Sequence, residues 1–563
     1  MNERLNKTGG ITIISLVLTI IILFILSGIT ISALTNQGLF KNARLAKEKT
    51  EKEQKKETSL LDQYESELNK YAENGRWDGK VNKPELMTGM SAIKFTDPTD
   101  SVEGTVVDTT SNDTEWYNYE DKKWANAKTE DGSMWVWIPR YAYRIHKENG
   151  VETQKFDIVF LVGLTDNYYD ENGKLQTVQR QTSENQTIVT NGDAYTVHPA
   201  FTNESSINYA NGGWNEELAG IWVAKFEAGY ASGNNSATVK ASSINYSQDT
   251  AYVPAVETGT TTTTITARNW LDGEYGSTTT AIKYPTFQGL TYSMNYINHN
   301  DAYRISKVLT ESGNIYGLNS SSTDSHLMKN SEWGAVVYLS QSKYGLDGKN
   351  IIINNVTLEN SIKSVYAVTG CAGLTSDSND VTTTIGELNN RTQSGVYVWT
   401  QKNGTGASST GTIYGIYDIS GGTWERTAGL VNNGNSNLTT YGSQIIADLN
   451  NGKSTRYITV YPHDSGKDNI SVSNTGANLN VASQINYSKN TKIYGDGIRE
   501  TSIAGTGSNA WYSEDSYFAG LYAPFFKRGE YYGNSSGAGL FYFSRANGCS
   551  SYYGSFRPVL VSL

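Results

Sequence analysis

The sequence predicts an α+β fold: a long N-terminal hydrophobic helix, a β-rich middle region and a separate C-terminal domain. Three observations predict it. Residues 11–34 contain no charge, and apolar spacings of three and four recur as far as Tyr71. Past Trp77 the pattern changes to period-two alternation broken by turns. Composition supports the change, because 38 Tyr and 54 Gly stand against only 9 Pro, and Tyr and Thr suit a half-buried pleated surface.

The chain has 563 residues, enough for three or four units at about 150 residues each. The formal net charge is -10 and no basic stripe follows the N-terminal region, which argues against nucleic acid as a partner. Two cysteines, Cys371 and Cys549, are too few for a disulfide scaffold. The five histidines are scattered without metal-ligand spacing.

The segment Ile11–Leu34 is 24 residues long, enough to cross a bilayer core of about 30 Å at about 1.5 Å per residue. Arg4 and Lys7 precede it, so the leader is expected inside and the rest outside. Gly9-Gly10 lies before the apolar run, unlike the small-residue site that follows the apolar region of a secretory signal. This arrangement resembles the type IV prepilin leader, in which a peptidase cuts after glycine and the helix is retained. The resemblance implies cleavage between Gly10 and Ile11. It implies a membrane partner through the helix, the prepilin peptidase, and other pilins. It places the protein in the cell membrane, single-pass with an extracellular C-terminal region, or in an extracellular pilus-like filament. Ser15 stands where most pilins carry Glu, and a plain anchor with a stalk is the alternative. Residues 1–10 are then the leader. Residues 11–75 are a transmembrane and stalk helix, closed near Gly75.

Residues 76–200 read as a β-rich module. "GSMWVWIPRYAYRI" (132–145) alternates as a strand does, after a hairpin closed at Asp131-Gly132. "FDIVFLVGL" (156–164) reads as a buried strand, and 231–250 and 258–268 read as polar insertions.

Four stretches then follow in order: "ELAGIWVAKFEAGY" (217–230), "HLMKNSEWGAVVYLS" (326–340) with Asn330 as expected N-cap, "GIYDISGGTWERTAG" (415–429), and "FKRGEYY" (526–532) with "SFRPVLV" (555–561). Together they resemble the formylglycine-generating-enzyme family of the C-type lectin fold. The resemblance implies a C-type lectin-like domain over 201–563. The oxidases of that family need paired cysteines soon after the "RGG"-like turn. Here 528–547 has none and Cys549 is alone, so neither catalysis nor copper is expected. "GNSSG" (533–537) matches G-x-S-x-G but precedes a strand-like run rather than a helix. The resemblance also implies a structural Ca²⁺, held by the side chains of Asp418 and Glu425 and the backbone oxygens of Gly421 and Thr423. Hard oxygen donors around a tight glycine turn suit that ion.

Residues 525–563 are crowded with Tyr, Asn, Ser and Gly between framing "RG" and "FRPVL" stretches. This resembles the variable proteins diversified by retroelements, which present exposed residues there. Tyr gives rigid amphipathic contact area, and Ser, Gly and Asn adapt their hydrogen bonds. The expected contact residues are Tyr531, Tyr532, Asn534, Tyr542, Arg545, Asn547, Ser550, Tyr552 and Tyr553. Tyr542 is expected to face outward while Phe541 and Phe543 pack inward. The expected function is a surface-displayed, adhesin- or receptor-like protein that binds an extracellular protein or glycan. A structural minor pilin or pseudopilin is the alternative, and a formylglycine-generating-type enzyme comes third.

Overall fold

In the computed structural model two compact units are distinguished, 1–72 and 73–563. The structure describes residues 19, 47, 49–50 and 52–56 of the first. Of the second it describes 76–95, 104–109, 116–178, 180, 194–203, 213–229, 284–291, 293–295, 297–359, 365–373, 397–400, 404–450, 455–463, 476–490, 493–503, 505, 507, 510–533, 537–551 and 553–563, with short strands at 239–240, 250–252, 255–256 and 264–266.

The expected long hydrophobic N-terminal helix, and with it single-pass membrane location, is corrected here. Among the described residues no helix is long and apolar enough to cross a membrane. The run 52–56 of the first unit is helical and exposed. It carries charge rather than lipid-facing side chains, with Lys56 Nζ 3.2 Å from Glu53. A spanning helix needs about 20 predominantly apolar residues. The Gly10–Ile11 cleavage position lies outside the described residues.

The second unit is β-rich. Its main strands are β1 (Ser91–Lys94), β2 (Thr105–Val106), β3 (Asn126–Lys128), β4 (Met134–Pro139), β5 (Tyr141–Glu148), β6 (Val151–Phe160), β7 (Thr196–Val197), β8 (Gly220–Ala224), β9 (Thr323–Leu327), β10 (Trp424–Val431), β11 (Thr459–Tyr461), β12 (Phe525–Arg528), β13 (Phe543–Ala546), β14 (Gly554–Phe556) and β15 (Pro558–Ser562). Two helices matter to the core, α1 (His299–Lys307) and α2 (Asn330–Ser340).

One antiparallel sheet runs β9-β15-β8-β4-β3-β1-β2. It joins residues on both sides of position 200, so the β-rich stretch and the C-terminal stretch share a sheet. Its centre is aromatic. Trp222 faces Trp137 across β8 and β4, with ring centroids 5.3 Å apart, the cross-strand pairing that stabilises sheets. The stretch expected as one strand over 132–145 breaks at Arg140. Its buried guanidinium reaches Asp166 at 2.9 Å and Glu217 at 2.6 Å. There the chain leaves the large sheet and enters a three-stranded one, β6-β5-β7.

α2 is buried on every side, its polar Asn330, Ser331, Glu332 and Ser340 included. Its cap is Lys329 rather than Asn330, and the Lys329 N–H donates to Glu332 at 2.8 Å. Gly334 lets the helix approach the chain at Gly495: a Cβ there would lie 2.1 Å from the Gly495 oxygen.

A second sheet runs β11-β10-β12-β13, with β14 pairing β10 in parallel. β10 thus sits between the end of the chain and the segment before it.

Candidate functional site

The second sheet assembles the C-terminal residues. Trp424 starts β10 and lies opposite Gly554 of β14, while Arg426, two residues on, lies opposite Lys527 of β12. After β12 the chain turns through Gly529 (φ 80°) and Glu530 (φ 60°). Two consecutive left-handed residues reverse the backbone sharply, a conformation that favours glycine and costs other residues about 1 kcal/mol. Backbone bonds hold the turn. The Gly421 N–H donates to the Gly529 oxygen at 3.0 Å, and the Tyr532 N–H donates to the Gly422 oxygen at 2.9 Å.

This turn folds Tyr531 and Tyr532 back against Trp424. Tyr553 arrives from the other side, because the Trp424 N–H donates to the Tyr553 oxygen at 2.6 Å. Ring centroids of Trp424 lie 5.2 Å from Tyr531 and 5.4 Å from Tyr553. Tyr531 and Tyr553 are 4.3 Å apart, and Tyr531 and Tyr532 are 5.4 Å apart. Most of the rings meet edge to face, the arrangement their quadrupoles prefer. All four are only partly buried. Lys527 Nζ lies 2.8 Å from the Trp424 ring centroid, and the Trp424 indole N–H donates to Glu530. Burial pushes the Lys527 amine down to about 7, with Glu530 opposing and Arg426 and Arg545 reinforcing the shift. The cluster therefore offers aromatic faces, one carboxylate, and an amine that titrates near neutrality.

Of the nine expected contact residues, the structure brings Tyr531, Tyr532 and Tyr553 together. Tyr542 is core, 2% exposed, as Phe541 and Phe543 are. The alternation expected over 540–543 fails because β13 begins only at Phe543 and a turn precedes it. Arg545 lies instead over the Tyr517 ring at 5.3 Å and donates to Ser483 at 3.2 Å. Asn547 is exposed and accepts from the Cys549 N–H at 3.1 Å, while Ser550 is 8% exposed. Asn534 and Tyr552 lie outside the described residues. Sequence reasoning missed Trp424, Lys527 and Glu530. The partial exposure of Trp424 follows from its place at the very start of β10.

The residues expected to hold calcium surround a buried ionic cluster. Glu425 receives the Arg557 guanidinium at two points, with Nε donating at 2.9 Å. Arg557 also donates to the Ala224 and Tyr417 oxygens at 2.6 and 2.7 Å. Asp418 Oδ1 accepts from Asn354 at 2.7 Å and from the Gly370 N–H at 2.8 Å, and burial pushes its carboxyl up to about 6. The N–H and hydroxyl of Thr423 turn to Glu227. Burial and the neighbouring Asp418 and Glu425 push Glu227 far above the usual carboxylate range. Both Glu425 oxygens are thus engaged by a buried arginine, while Asp418 Oδ2 is buried without a hydrogen-bond partner. The cluster locks β10 to the ends of β8 and β14.

Both cysteines are free thiols, Cys371 buried and Cys549 partly buried. Burial pushes the Cys371 thiol up, and Asp418 adds to it, the opposite of what a nucleophilic cysteine needs.

No protein-family model matches the chain, and no curated protein matches it.

Proposed function

We propose that this chain is a ligand-binding protein without catalytic activity, and that its contact surface is the ring cluster of Trp424, Tyr531, Tyr532 and Tyr553. The observation that carries the reading is convergence. Tyrosines chosen from the sequence for their contact chemistry, and separated by more than twenty positions, meet on one partly exposed tryptophan. Tyr and Trp dominate the energetics of binding surfaces because they desolvate large areas at low entropy cost. The bonded turn at Gly529 holds Tyr531 and Tyr532 in place. Such pre-organisation lowers the ordering cost of binding. The resemblance to variable proteins points the same way, with a protein or glycan as the ligand class.

A binding screen of the full chain against glycan and protein arrays tests this. Alanine at Tyr531 or Tyr553 is expected to weaken a detected interaction at least tenfold, about 1.4 kcal/mol. Alanine at Arg545 is expected to change it little. Full retention of every detected interaction in the Tyr531→Ala/Tyr553→Ala double variant would refute the assignment.

A further inference from the structure

A second feature lies elsewhere in the same unit and shares no residue with the ring cluster. A cleft of about 1760 Å³ opens to solvent between residues 77–86, 107–109 and 116–120, strand β6, residues 168–171 with Tyr195, and the loop 343–347. This is larger than the roughly 300–1,000 Å³ of a small-molecule pocket, and suits an extended ligand.

Its walls carry aromatic rings that are only partly buried: Trp77, Tyr117, Tyr168, Tyr169 and Tyr195. Water-facing rings gathered along one cleft are unusual, since scattered single exposures are the norm. Between the rings lie charged side chains of both signs, and most are matched within the protein. Asp157 meets His146 at 2.7 Å and Arg144 at 2.9 Å. Lys155 lies 3.5 Å from Glu148 and 3.6 Å from Asp347. Lys343 lies 3.4 Å from Glu120, and the Tyr117 hydroxyl donates to Asp78 at 2.8 Å. Such pairing leaves little field to attract a phosphate, a nucleic acid or a strongly charged peptide. It leaves many fixed donors and acceptors beside apolar faces.

That combination matches one ligand chemistry. A pyranose ring has an apolar C–H face and a rim of hydroxyls. Its face stacks on an aromatic ring, and its rim exchanges hydrogen bonds with paired carboxylates, ammonium groups and phenols. Several rings in a row fit several sugar units. We infer that this cleft binds a neutral oligosaccharide, with Trp77 and Tyr169 as stacking platforms. The inference does not depend on the C-terminal ring cluster.

Titration calorimetry of the full chain with neutral hexasaccharides of β-linked glucose and of N-acetylglucosamine tests it. A sulfated hexasaccharide and an acidic peptide serve as comparators. At least one neutral hexasaccharide is expected to bind, with affinity nearly independent of salt, unlike a charge-driven ligand. Tyr169→Ala is expected to weaken binding about tenfold, and Tyr169→Phe to preserve it. Tyr169 pairs with Leu175 in a hairpin and Trp77 packs partly against the core, so Tyr169→Ala and Trp77→Ala are each read beside their thermal transitions. The Tyr531→Ala/Tyr553→Ala variant is expected to bind the hexasaccharide normally, which separates this site from the other. Absence of binding by every neutral hexasaccharide would overturn the inference. So would unchanged affinity in Tyr169→Ala, or preference for the sulfated or peptide comparator.

Discussion

Lys527 holds its amine 2.8 Å from the centre of the Trp424 ring, within the partly exposed aromatic cluster. Burial pushes that amine down to about 7, from about 10.4 in an unfolded chain. The folded state therefore binds fewer protons than the unfolded one between those values, and stability rises as pH rises through this window. Lys527→Met removes the linkage. Denaturant titrations between pH 7 and pH 10 are expected to show a flatter stability profile in the variant, with its advantage over the native chain greatest near pH 7.

Glu514 and Glu500 act in the opposite sense. Burial raises Glu514 to about 8 and, with Asp496 adding, Glu500 to about 7. Folding then takes up protons above the unfolded value of about 4.3. The stabilisation is complete below that value and is lost as pH rises through the folded ones, by at most about 1.4 kcal/mol per pH unit for each group. Glu514→Gln, which can still accept from the Phe541 N–H that the carboxylate now takes, is expected to reduce the decline between pH 5 and pH 8. An unchanged slope would show that Glu514 is ionised in the fold.

Arg557 brings its guanidinium to Glu425 in the cluster with Asp418 and Glu227, and it is fully buried. Arg557→Met strands a buried carboxylate and is expected to cost about 3–5 kcal/mol. The deficit should shrink at acid pH, where Glu425 can be neutralised. Urea unfolding at two pH values measures both effects, and a pH-independent deficit would point to lost packing alone.

Gly334→Ala tests the approach of α2 to Gly495. The added carbon would lie 2.1 Å from a backbone oxygen, which no side-chain rotation relieves. A loss of about 1–3 kcal/mol or more is expected from such overpacking, visible as a lowered Tm.

The two thiols should differ in reactivity. Cys549 is partly exposed and Cys371 is buried. A thiol-specific chromophore is expected to label one cysteine in the native chain and both after unfolding. Rapid native labelling of Cys371 would contradict its burial.

Much of the local structure could be read along the chain. The hairpin at Asp131-Gly132 forms between β3 and β4, with the Gly132 N–H donating to the Thr129 oxygen at 2.9 Å. The "GIWVA" strand and the closing "PVLV" strand are also there, and they lie side by side. Turn chemistry and alternation are local properties, so the sequence carries them. The reading failed where a feature depends on neighbours distant in sequence. Period two over 132–145 concealed a change of sheet, because the partners that hold Arg140 are Asp166 and Glu217. The pattern at 540–543 suggested an outward Tyr542, but a turn removes the alternation. The apolar N-terminal run suggested a spanning helix, and no described helix has that character.

The sequence by itself determined that the second unit would be strand-rich and aromatic, and that its C-terminal stretch would crowd Tyr, Asn, Ser and Gly between two framing arginines. Composition and short-range pattern suffice for that, since each residue's propensity acts where it stands. Only the tertiary structure decided which tyrosines meet. Parallel pairing of β14 with β10 and the left-handed turn at Gly529–Glu530 put Tyr531, Tyr532 and Tyr553 on Trp424. Tertiary pairing also set the Arg557 guanidinium on Glu425, 132 positions away in sequence but within hydrogen-bonding distance in the fold.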